Sequence, residues 1–367
     1  VQAGELAAPR TAGRLQERRT VSLSMTMPSA SHKALSFDQL TVSGDGQTAA
    51  FIMHDVDGKL SLWVRRLDTG EARVLQGTEG AVNPFWAPDS RFLGFFADGK
   101  LKKIDTAGGP PQILCPVTEA DGGTWNRDGL ILFGHGETGG IYKVPSSGGT
   151  AVPVTRLGPS DEAHRWPSFL PDGDHFVLMV DAERTEDHFL GLGSLESEEV
   201  THLSNMISNV TYAAPGYLLF GRAGALIAQP FDMRTMRPAG DPVAVAANLV
   251  GSGIRHRMEF SASDAGILTY RSADLDARLT WVDPSGKPLE ALGETGRFNA
   301  LALSPDESRV AFGKLDADGR TGDLWLLQLT RGVTSRLTFH PGAVHAPKWS
   351  RDGRTLAYSS AHDGRSS

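Results

Sequence analysis

A short motif that recurs eight times along the chain constrains its fold more than any other feature of the sequence. In the copy at 301–312, apolar and polar residues alternate on both sides of a turn segment that contains Ser304, Pro305 and Asp306. Alternation with a period of two is typical of half-buried β-strands. Proline presets φ for a turn, and an aspartate can bond the backbone two residues further on. Each copy therefore predicts two short strands joined by a tight turn.

The spacing of the copies indicates the architecture. An aspartate or a glycine marks the same point of each turn, at Asp45, Asp89, Asp128, Asp172, Gly216, Asp264, Asp306 and Asp352. Consecutive positions are 39 to 48 residues apart, with a mean of about 44. This is the length of one four-stranded blade of a β-propeller. The second half of each repeat agrees, because further alternating segments such as 60–67 and 72–75 follow the first hairpin.

The predicted fold class is all-β: a β-propeller of four-stranded antiparallel blades, with about seven complete repeats and a truncated eighth. Residues 1–20 are expected to be a linker or a disordered start, 21–292 a propeller of six repeats, and 293–367 further propeller repeats, the last one incomplete. Residues 278–287 are expected to complete the sixth repeat. Two arrangements stay open: one seven- or eight-bladed ring closed by a strand from 21–27, or a six-bladed propeller followed by the start of a second.

Aromatic residues precede the turns at nearly the same register. They are Trp86, Trp125, Phe169, Phe260 and Trp349. Blades that stack around an axis cover one another's faces, and large aromatic rings contribute much of the buried area in such an interface. We therefore expect these rings in the core between blades rather than in a ligand cage.

Composition and charge exclude several function classes. The net charge is −7 with acidic and basic residues interspersed, so the clustered Lys and Arg of a nucleic-acid surface are absent. Cys115 is the only cysteine, which excludes an internal disulfide and a multi-thiolate metal site. No run of about 18 apolar residues occurs, so no membrane insertion is expected within this segment. The chain begins at Val1 without a visible signal peptide, and we expect it to be a fragment.

The sequence predicts no catalytic, cofactor-binding or metal-binding residues, and we expect the chain not to be an enzyme. A Gly-x-Ser-x-Gly nucleophile elbow is absent, and the 11 histidines form neither His-x-His nor His-Glu-x-x-His. Asp161, Glu162, Ala163 and His164 spell a Walker-B-like motif, but they follow a turn-like segment instead of an apolar parallel strand. We interpret that motif as a coincidence.

The repeats resemble a known family. The segments Ser-Pro-Asp-Glu-Ser-Arg-Val-Ala-Phe at 304–312 and Trp-Ser-Arg-Asp-Gly-Arg-Thr-Leu-Ala-Tyr at 349–358 are similar to the TolB-like, WD-repeat-like propeller repeat, over about residues 38–360. Pro-Phe-Trp-Ala-Pro-Asp-Ser at 84–90 and His-Arg-Trp-Pro-Ser-Phe-Leu-Pro-Asp-Gly at 164–173 resemble the C-terminal propeller region of bacterial membrane-anchored serine/threonine protein kinases. That second resemblance implies a cytoplasmic kinase domain, one membrane helix and an extracytoplasmic propeller sensor. The kinase motifs themselves do not occur in this chain.

These resemblances imply a non-enzymatic module for protein–protein interaction or ligand sensing, as the extracytoplasmic sensor part of a receptor-like serine/threonine kinase. Two alternatives stay open: a stand-alone TolB-like periplasmic scaffold, and the N-terminal propeller of a prolyl-oligopeptidase-like hydrolase whose catalytic domain is absent from this chain. The expected partner is a protein, a peptide or a small ligand at the propeller channel, without nucleic acid or a cofactor. The expected location is periplasmic or otherwise extracytoplasmic, with a membrane tether in the full-length protein, and a cytoplasmic location also stays open.

A candidate ligand site follows from the propeller prediction. The innermost strand of each blade lines the central channel, and the residues just before it cluster at the channel mouth. Alignment of the repeats places these polar residues there: Gln39, Asn83, Asp121, Arg165, Asn209, His256, Arg257, Asn299 and His345. A wet channel also favours polar residues without any ligand, so ligand contact at this ring is a hypothesis.

Overall fold

The chain is organised as two compact units, Val1–Ser272 and Ala273–Ser367. The computed structural model describes residues 2–5, 23–24, 36–54, 59–136, 138–206, 208–251, 256–272, 277–282, 288–315, 322–339, 344–362 and 365–366. Within these residues every regular element is a β-strand except one 3-10 turn, Thr185–Asp187. The all-β prediction is therefore confirmed.

The strands of the first unit are numbered in chain order. They are β1 (Gln2–Glu5), β2 (Leu23–Ser24), β3 (Ser36–Val42), β4 (Thr48–His54), β5 (Leu60–Arg66), β6 (Ala72–Val74), β7 (Val82–Trp86), β8 (Phe92–Ala97), β9 (Lys100–Asp105), β10 (Gln112–Pro116), β11 (Ala120–Trp125), β12 (Leu130–His135), β13 (Ile141–Pro145), β14 (Val152–Pro153), β15 (Asp161–Phe169), β16 (His175–Ala182), β17 (Phe189–Ser194), β18 (Ser197–Asn205), β19 (Val210–Ala213), β20 (Tyr217–Arg222), β21 (Ala225–Asp232), β22 (Arg237–Pro238), β23 (Val243–Ala246), β24 (Phe260–Ala262) and β25 (Ile267–Tyr270).

These strands form antiparallel sheets, which we name blades one to six. Blade one is β3-β4-β5-β6, blade two β7-β8-β9-β10, blade three β11-β12-β13-β14, blade four β15-β16-β17-β18, blade five β19-β20-β21-β22 with β23 also paired to β21, and blade six β24-β25-β1-β2. The innermost strands β3, β7, β11, β15, β19 and β24 contact one another in that order, and β24 also contacts β3. These contacts close a ring, so the first unit is a six-bladed β-propeller. It corresponds to the six-bladed arrangement of the two that the sequence left open.

Ring closure joins the two ends of the first unit. β24 and β25 come from its end, whereas β1 and β2 come from its start, and β1 pairs antiparallel with β25. An unpaired strand edge exposes backbone donors and acceptors, so β1 satisfies the outer edge of β25. Between blades six and one, Leu40 N donates to Glu259 Oε2 at 3.2 Å. Val42 N likewise donates to Ser261 Oγ at 3.1 Å.

The start of the chain differs from the sequence expectation. Gln2–Glu5 lies inside the segment 1–20, which was expected to be a linker, and forms strand β1. Leu23–Ser24 lies inside the alternating segment 21–27 and pairs with β1. Polar composition concealed the first strand, because a strand of four residues with few apolar side chains has no alternation to detect.

The end of the sixth repeat also differs. Residues 278–287 were expected to complete it, but Ala277–Val282 pairs with Pro288–Leu303 within the second unit. The division between the compact units accordingly falls after Ser272, and not after residue 292. The repeat pattern specifies strands, but it does not specify which strand covers the edge of β25.

The second unit continues the repeat. Its strands are β26 (Ala277–Val282), β27 (Pro288–Leu303), β28 (Arg309–Leu315), β29 (Gly322–Gln328), β30 (Val333–Arg336), β31 (Val344–Trp349), β32 (Leu356–His362) and β33 (Arg365–Ser366). β26 to β30 form one sheet in chain order, and β31 to β33 form another. Leu301 pairs with Phe312 across the hairpin predicted at 301–312. Val310 and Phe312 of this hairpin are buried in one cluster with Leu327 of β29.

The aromatic residues ahead of the turns lie between blades, as predicted. Trp86 packs with Leu62 of blade one and Leu93 of blade two. Trp125 likewise joins blades two and three, and Phe169 joins blades three and four. The inter-blade interpretation is confirmed for these positions, and the same three residues also line a cavity of the channel.

The turn residues hold the hairpins through local hydrogen bonds. Asp306 Oδ1 accepts from Ser304 Oγ at 2.6 Å and from Ser308 N at 3.2 Å. Bonds from Ser304 and Ser308 stabilise the carboxylate and lower the pKa of Asp306 to about 2. Asp45 and Asp352 accept from Ser43 and Ser350 in the same way. These aspartates are structural turn residues.

Candidate functional site at the propeller channel

Bulges interrupt the innermost strands six residues before the turn aspartates of blades one to four. The residue at this position has a positive φ in each case: 57° at Gln39, 50° at Asn83, 73° at Gly122 and 53° at Trp166. Side-chain-bearing residues rarely adopt this conformation, and it is often retained at functional sites. A bulge re-aims neighbouring side chains, so the predicted rim residues lie where the strand geometry changes.

Two cavities follow the channel. The turn-side cavity has a volume of about 520 Å³ and is lined by the innermost strands of all six blades and by turn residues such as Gly44, Asp128 and Asp264. The opposite cavity has a volume of about 440 Å³, and Gln39 and Asp121 are among its lining residues. Asn83, Trp166 and Arg257 line both cavities. These three residues therefore lie where the cavities meet, and we name them the partition.

Hydrogen bonds and charge fix the partition. Arg257 Nη1 donates to Asn83 Oδ1 at 2.6 Å, and the Arg257 guanidinium lies 5.4 Å from the centroid of the Trp166 ring. Arg257 Nε is 3.4 Å from Glu259 Oε1, and the Glu259 side chain is only 1% exposed. Asn83 Nδ2 donates to the carbonyl of Ala120 at 2.8 Å, which joins the partition to blade three. The positive charge in the channel is thus compensated by a buried carboxylate.

A second buried ionic group lies beside the partition. Arg165 forms ion pairs with both Asp121 and Asp181. All three residues are buried, with 7%, 3% and 7% of their surface exposed. Buried charges need such pairing because desolvation otherwise opposes ionisation. The group joins blade three to blade four across their inner strands.

The remaining predicted rim residues have varied positions. Asn209 lines the turn-side cavity and bonds the backbone of Met258 in both directions, at 2.7 and 3.1 Å. His256 is exposed, and its ring meets that of His188 edge-on, with centroids 5.1 Å apart. Asn299 and His345 belong to β27 and β31 of the second unit, and their side chains lie outside the described residues.

The structure therefore brings together Gln39, Asn83, Asp121 and Arg257 along the channel. Arg165 is connected to this group by its ion pair with Asp121, but it is not among the residues that line either cavity. Ligand contact at these positions stays a prediction.

Sequence reasoning missed Trp166, Asp181, His188 and Glu259. Two signals were present. Asp181 is the penultimate residue of β16, the residues before it are mostly apolar and buried, and an acid in such a run is usually paired. Glu259 lies two residues after Arg257, on the same face of an extended segment. His188 had no comparable signal, because it follows the 3-10 turn Thr185–Asp187, which the repeat pattern does not predict.

The Walker-B-like residues have local partners. Asp161 Oδ2 accepts from Gly158 N at 2.8 Å and lies 3.2 Å from His164 Nε2. His164 Nδ1 is 2.7 Å from Thr155 Oγ1. Burial lowers the pKa of His164, although Asp161 opposes this effect. These residues lie in an antiparallel strand, β15, where they stabilise the start of blade four.

No protein-family model matches the chain. An uncharacterized protein of Agrobacterium fabrum is 25% identical over 279 residues, which covers 69% of this chain and 91% of that relative. Among solved structures, TolB from Acinetobacter baumannii is 12% identical with a TM-score of 0.46, over 57% of this chain and 56% of TolB. A prolyl endopeptidase is 12% identical with a TM-score of 0.43, over 90% of this chain and 54% of that protein. The Dos1 propeller is 14% identical with a TM-score of 0.40, over 90% of each chain.

The chain spans little more than half the length of TolB and of the prolyl endopeptidase. These identities and TM-scores assign no function. The propeller assignment rests on the blades and on the closed ring of the first unit. Within the described part of the chain, no helix has the length and apolar character that a membrane crossing requires.

Proposed function

We propose that the first unit is a non-enzymatic binding module, and that its turn-side cavity receives a protein segment, a peptide or a small ligand. The observation that carries the proposal is the partition of Asn83, Trp166 and Arg257, which gives this cavity a floor. The floor is held by the bond from Arg257 to Asn83 and by the contact of Arg257 with the Trp166 ring. A floor that is fixed in advance reduces the entropy lost on binding.

The size and lining of the turn-side cavity support this proposal. Its volume of about 520 Å³ lies within the usual range of ligand pockets. Aromatic residues and small polar residues share its wall: Phe85, Trp125, Phe169, Tyr212, Thr124, Ser168, Asn209 and Ser261. Apolar rings with a few placed polar groups are the usual composition of a binding site for a peptide or a small molecule.

The pairing of charges supports a binding role over a catalytic one. Arg257 is compensated by Glu259, and Asp121 is paired with Arg165. General acid–base catalysis needs an ionisable group that is presented to the substrate. The paired charges of this channel instead hold the shape of the floor.

The resemblance of the repeats supports a finer proposal. The module would be the extracytoplasmic sensor part of a membrane-tethered, receptor-like serine/threonine kinase, where cavity occupancy reports a ligand to the kinase. A stand-alone TolB-like periplasmic scaffold is the second candidate, and the TolB-like repeat at 304–312 favours it. The hydrolase alternative requires a catalytic domain, and no nucleophile elbow occurs in this sequence.

The complete gene distinguishes these settings. A kinase domain followed by a membrane helix upstream supports the sensor proposal. A signal peptide directly before the propeller supports the scaffold, and a hydrolase domain downstream contradicts both.

Blocking the cavity tests the binding proposal. Gly44 lines it, and a Cβ at this position would lie 3.5 Å from Ser90 Oγ, its nearest neighbour. Gly44→Trp should therefore fill the cavity mouth, whereas Gly44→Ala should leave it open. Dodecapeptides selected from a random phage-displayed library against the wild-type chain provide the probe. We expect the selected peptides to bind the wild type and Gly44→Ala equally and to lose binding to Gly44→Trp. Equal binding to all three proteins contradicts the proposal.

A further inference from the structure

Two histidines and an aspartate converge outside the two cavities. Asp181, His188 and His256 each place a potential ligand atom within 4.8 Å of the others. Asp181 is the penultimate residue of β16 and His188 directly precedes β17, so both belong to blade four. His256 comes from the segment before blade six, next to the partition residue Arg257. Residues distant in sequence are thus brought to one point.

The polar atoms at this point are unsatisfied. Asp181 and His188 are 7% and 6% exposed. Among the described residues, Asp181 Oδ1 and His188 Nδ1 have no hydrogen-bond partner, and they lie 3.7 Å apart. A buried polar atom without a partner is unfavourable by about 1–3 kcal/mol and requires an explanation.

The surrounding hydrogen bonds determine whether Asp181 Oδ1 and His188 Nδ1 present a proton or a lone pair. His188 Nε2 is 3.0 Å from the carbonyl of Ala182, and because a carbonyl only accepts, Nε2 carries the hydrogen. Nδ1 of the neutral ring therefore presents its lone pair. Asp181 Oδ2 accepts from Arg165 Nε, which leaves Oδ1 facing that lone pair. Two electron-rich atoms that face each other in a buried site are a favourable pair of ligands for a cation.

We propose that Asp181, His188 and His256 bind a divalent transition-metal ion, with Zn²⁺ as the representative ion. Two ligands bound to tetrahedral zinc at about 2.1 Å lie about 3.4 Å apart, so the observed 3.7 Å needs only a small adjustment. The bond from His188 Nε2 to a backbone carbonyl is the outer contact that zinc-binding histidines typically make. Arg165 orients the aspartate in the same way.

The donor set determines the class of ion. Two imidazole nitrogens and one carboxylate suit zinc and its first-row neighbours. Ca²⁺ and Mg²⁺ prefer oxygen ligands and should not bind here. Three protein ligands leave a further coordination position, and the exposed His256 provides access from solvent. The ion would link blade four to the segment that carries Arg257, so metal binding would act on the partition from outside the cavity.

Metal titration of the complete chain tests the proposal. After treatment with a chelator and removal of the chelator, isothermal titration with Zn²⁺ should give one site per chain. Co²⁺ should give the visible absorption bands of a bound ion. Ca²⁺ and Mg²⁺ should give neither signal at the same concentrations.

Variants locate the site. His256→Ala changes an exposed side chain and should fold, and it should weaken Zn²⁺ binding by at least about 100-fold, which is the upper end of the loss caused by outer-contact variants. Asp181→Asn should weaken it similarly. His202→Ala removes an exposed histidine of the same blade that bonds Asn205, and should bind Zn²⁺ like the wild type. Absence of zinc binding, or equal binding by His256→Ala and His202→Ala, overturns the proposal. Because Gly44→Trp leaves these ligands unchanged, failure of the cavity proposal would not alter the zinc result.

Discussion

The buried pair of Arg257 and Glu259 offers a quantitative test of the partition. Glu259→Gln preserves shape and keeps an oxygen that can accept from Leu40 N, but it removes the negative charge. The two side chains are 12% and 1% exposed, and Arg257 Nε lies 3.4 Å from Glu259 Oε1. At that separation and an effective dielectric constant of about 20, the attraction is about 5 kcal/mol. Removal of one partner from a buried pair typically costs about 3–5 kcal/mol.

Thermal unfolding measures this loss. A domain close to this size loses about 2–4 °C in Tm per kcal/mol, so Glu259→Gln should lower the Tm by about 6–20 °C. The double variant Arg257→Gln with Glu259→Gln should recover part of the loss, because no uncompensated charge remains. Asp68→Asn breaks an exposed pair with Arg66 and should leave the Tm unchanged, because solvent screens that pair. If Glu259→Gln lowers the Tm no more than Asp68→Asn, the partition is not held by a buried charge pair.

Three further variants test the packing, the titration and the hydrogen bonds of the first unit. Gly123→Ala should destabilise it by about 1–3 kcal/mol in urea unfolding, because a Cβ there would overlap the ring of Phe85 from the adjacent blade, whereas Gly44→Ala should be nearly neutral. Burial lowers the pKa of His164 below its ordinary 6.5, so the unfolded chain binds the proton more readily, and this contribution to stability is present above about pH 6.5 and lost as the pH falls. Between pH 8 and pH 5.5, urea unfolding should show a larger decrease in the free energy of unfolding for the wild type than for His164→Gln. Equal decreases in the two proteins would contradict this assignment. Thr78→Val removes the acceptor of Leu62 N and should cost about 1–3 kcal/mol, with faster hydrogen exchange at Leu62, whereas the exposed Thr201→Val should change neither.

The repeating part of the fold was predictable from the sequence because it depends on local chemistry. Asp306 and its counterparts form turns through bonds to residues two positions away, and such bonds need no tertiary context. Trp86 and Trp125 follow the same logic, since a blade must cover its neighbour. A regular spacing of turns and aromatic rings was therefore sufficient to predict four-stranded blades that pack against one another.

Ring closure was not predictable, because it depends on which distant strand reaches an open edge. Gln2–Glu5 reaches β25 from the opposite end of the unit, and no local pattern encodes that pairing. The channel was predictable only in part. Asn83 and Arg257 were identified by register, but their mutual bond depends on the bulge at Asn83 and on the compensating Glu259.

The cluster around His188 shows a further limit. Asp181 and His188 lie on either side of the 3-10 turn Thr185–Asp187, which is the one such turn among the described residues. Alignment of the repeats identifies positions that recur from blade to blade. It cannot identify a site whose residues do not recur. Only the three-dimensional contact with His256 brings these groups together.

Hydrogen–deuterium exchange with a selected dodecapeptide tests the binding account most directly. We expect the peptide to increase protection in the turns that line the turn-side cavity, around Gly44, Asp128, Gly173 and Asp264. Outer strands such as Ala72–Val74 and Ser197–Asn205 should remain unchanged. Protection confined to the outer strands, with the channel turns unaffected, would contradict the claim that the propeller binds its ligand in the channel.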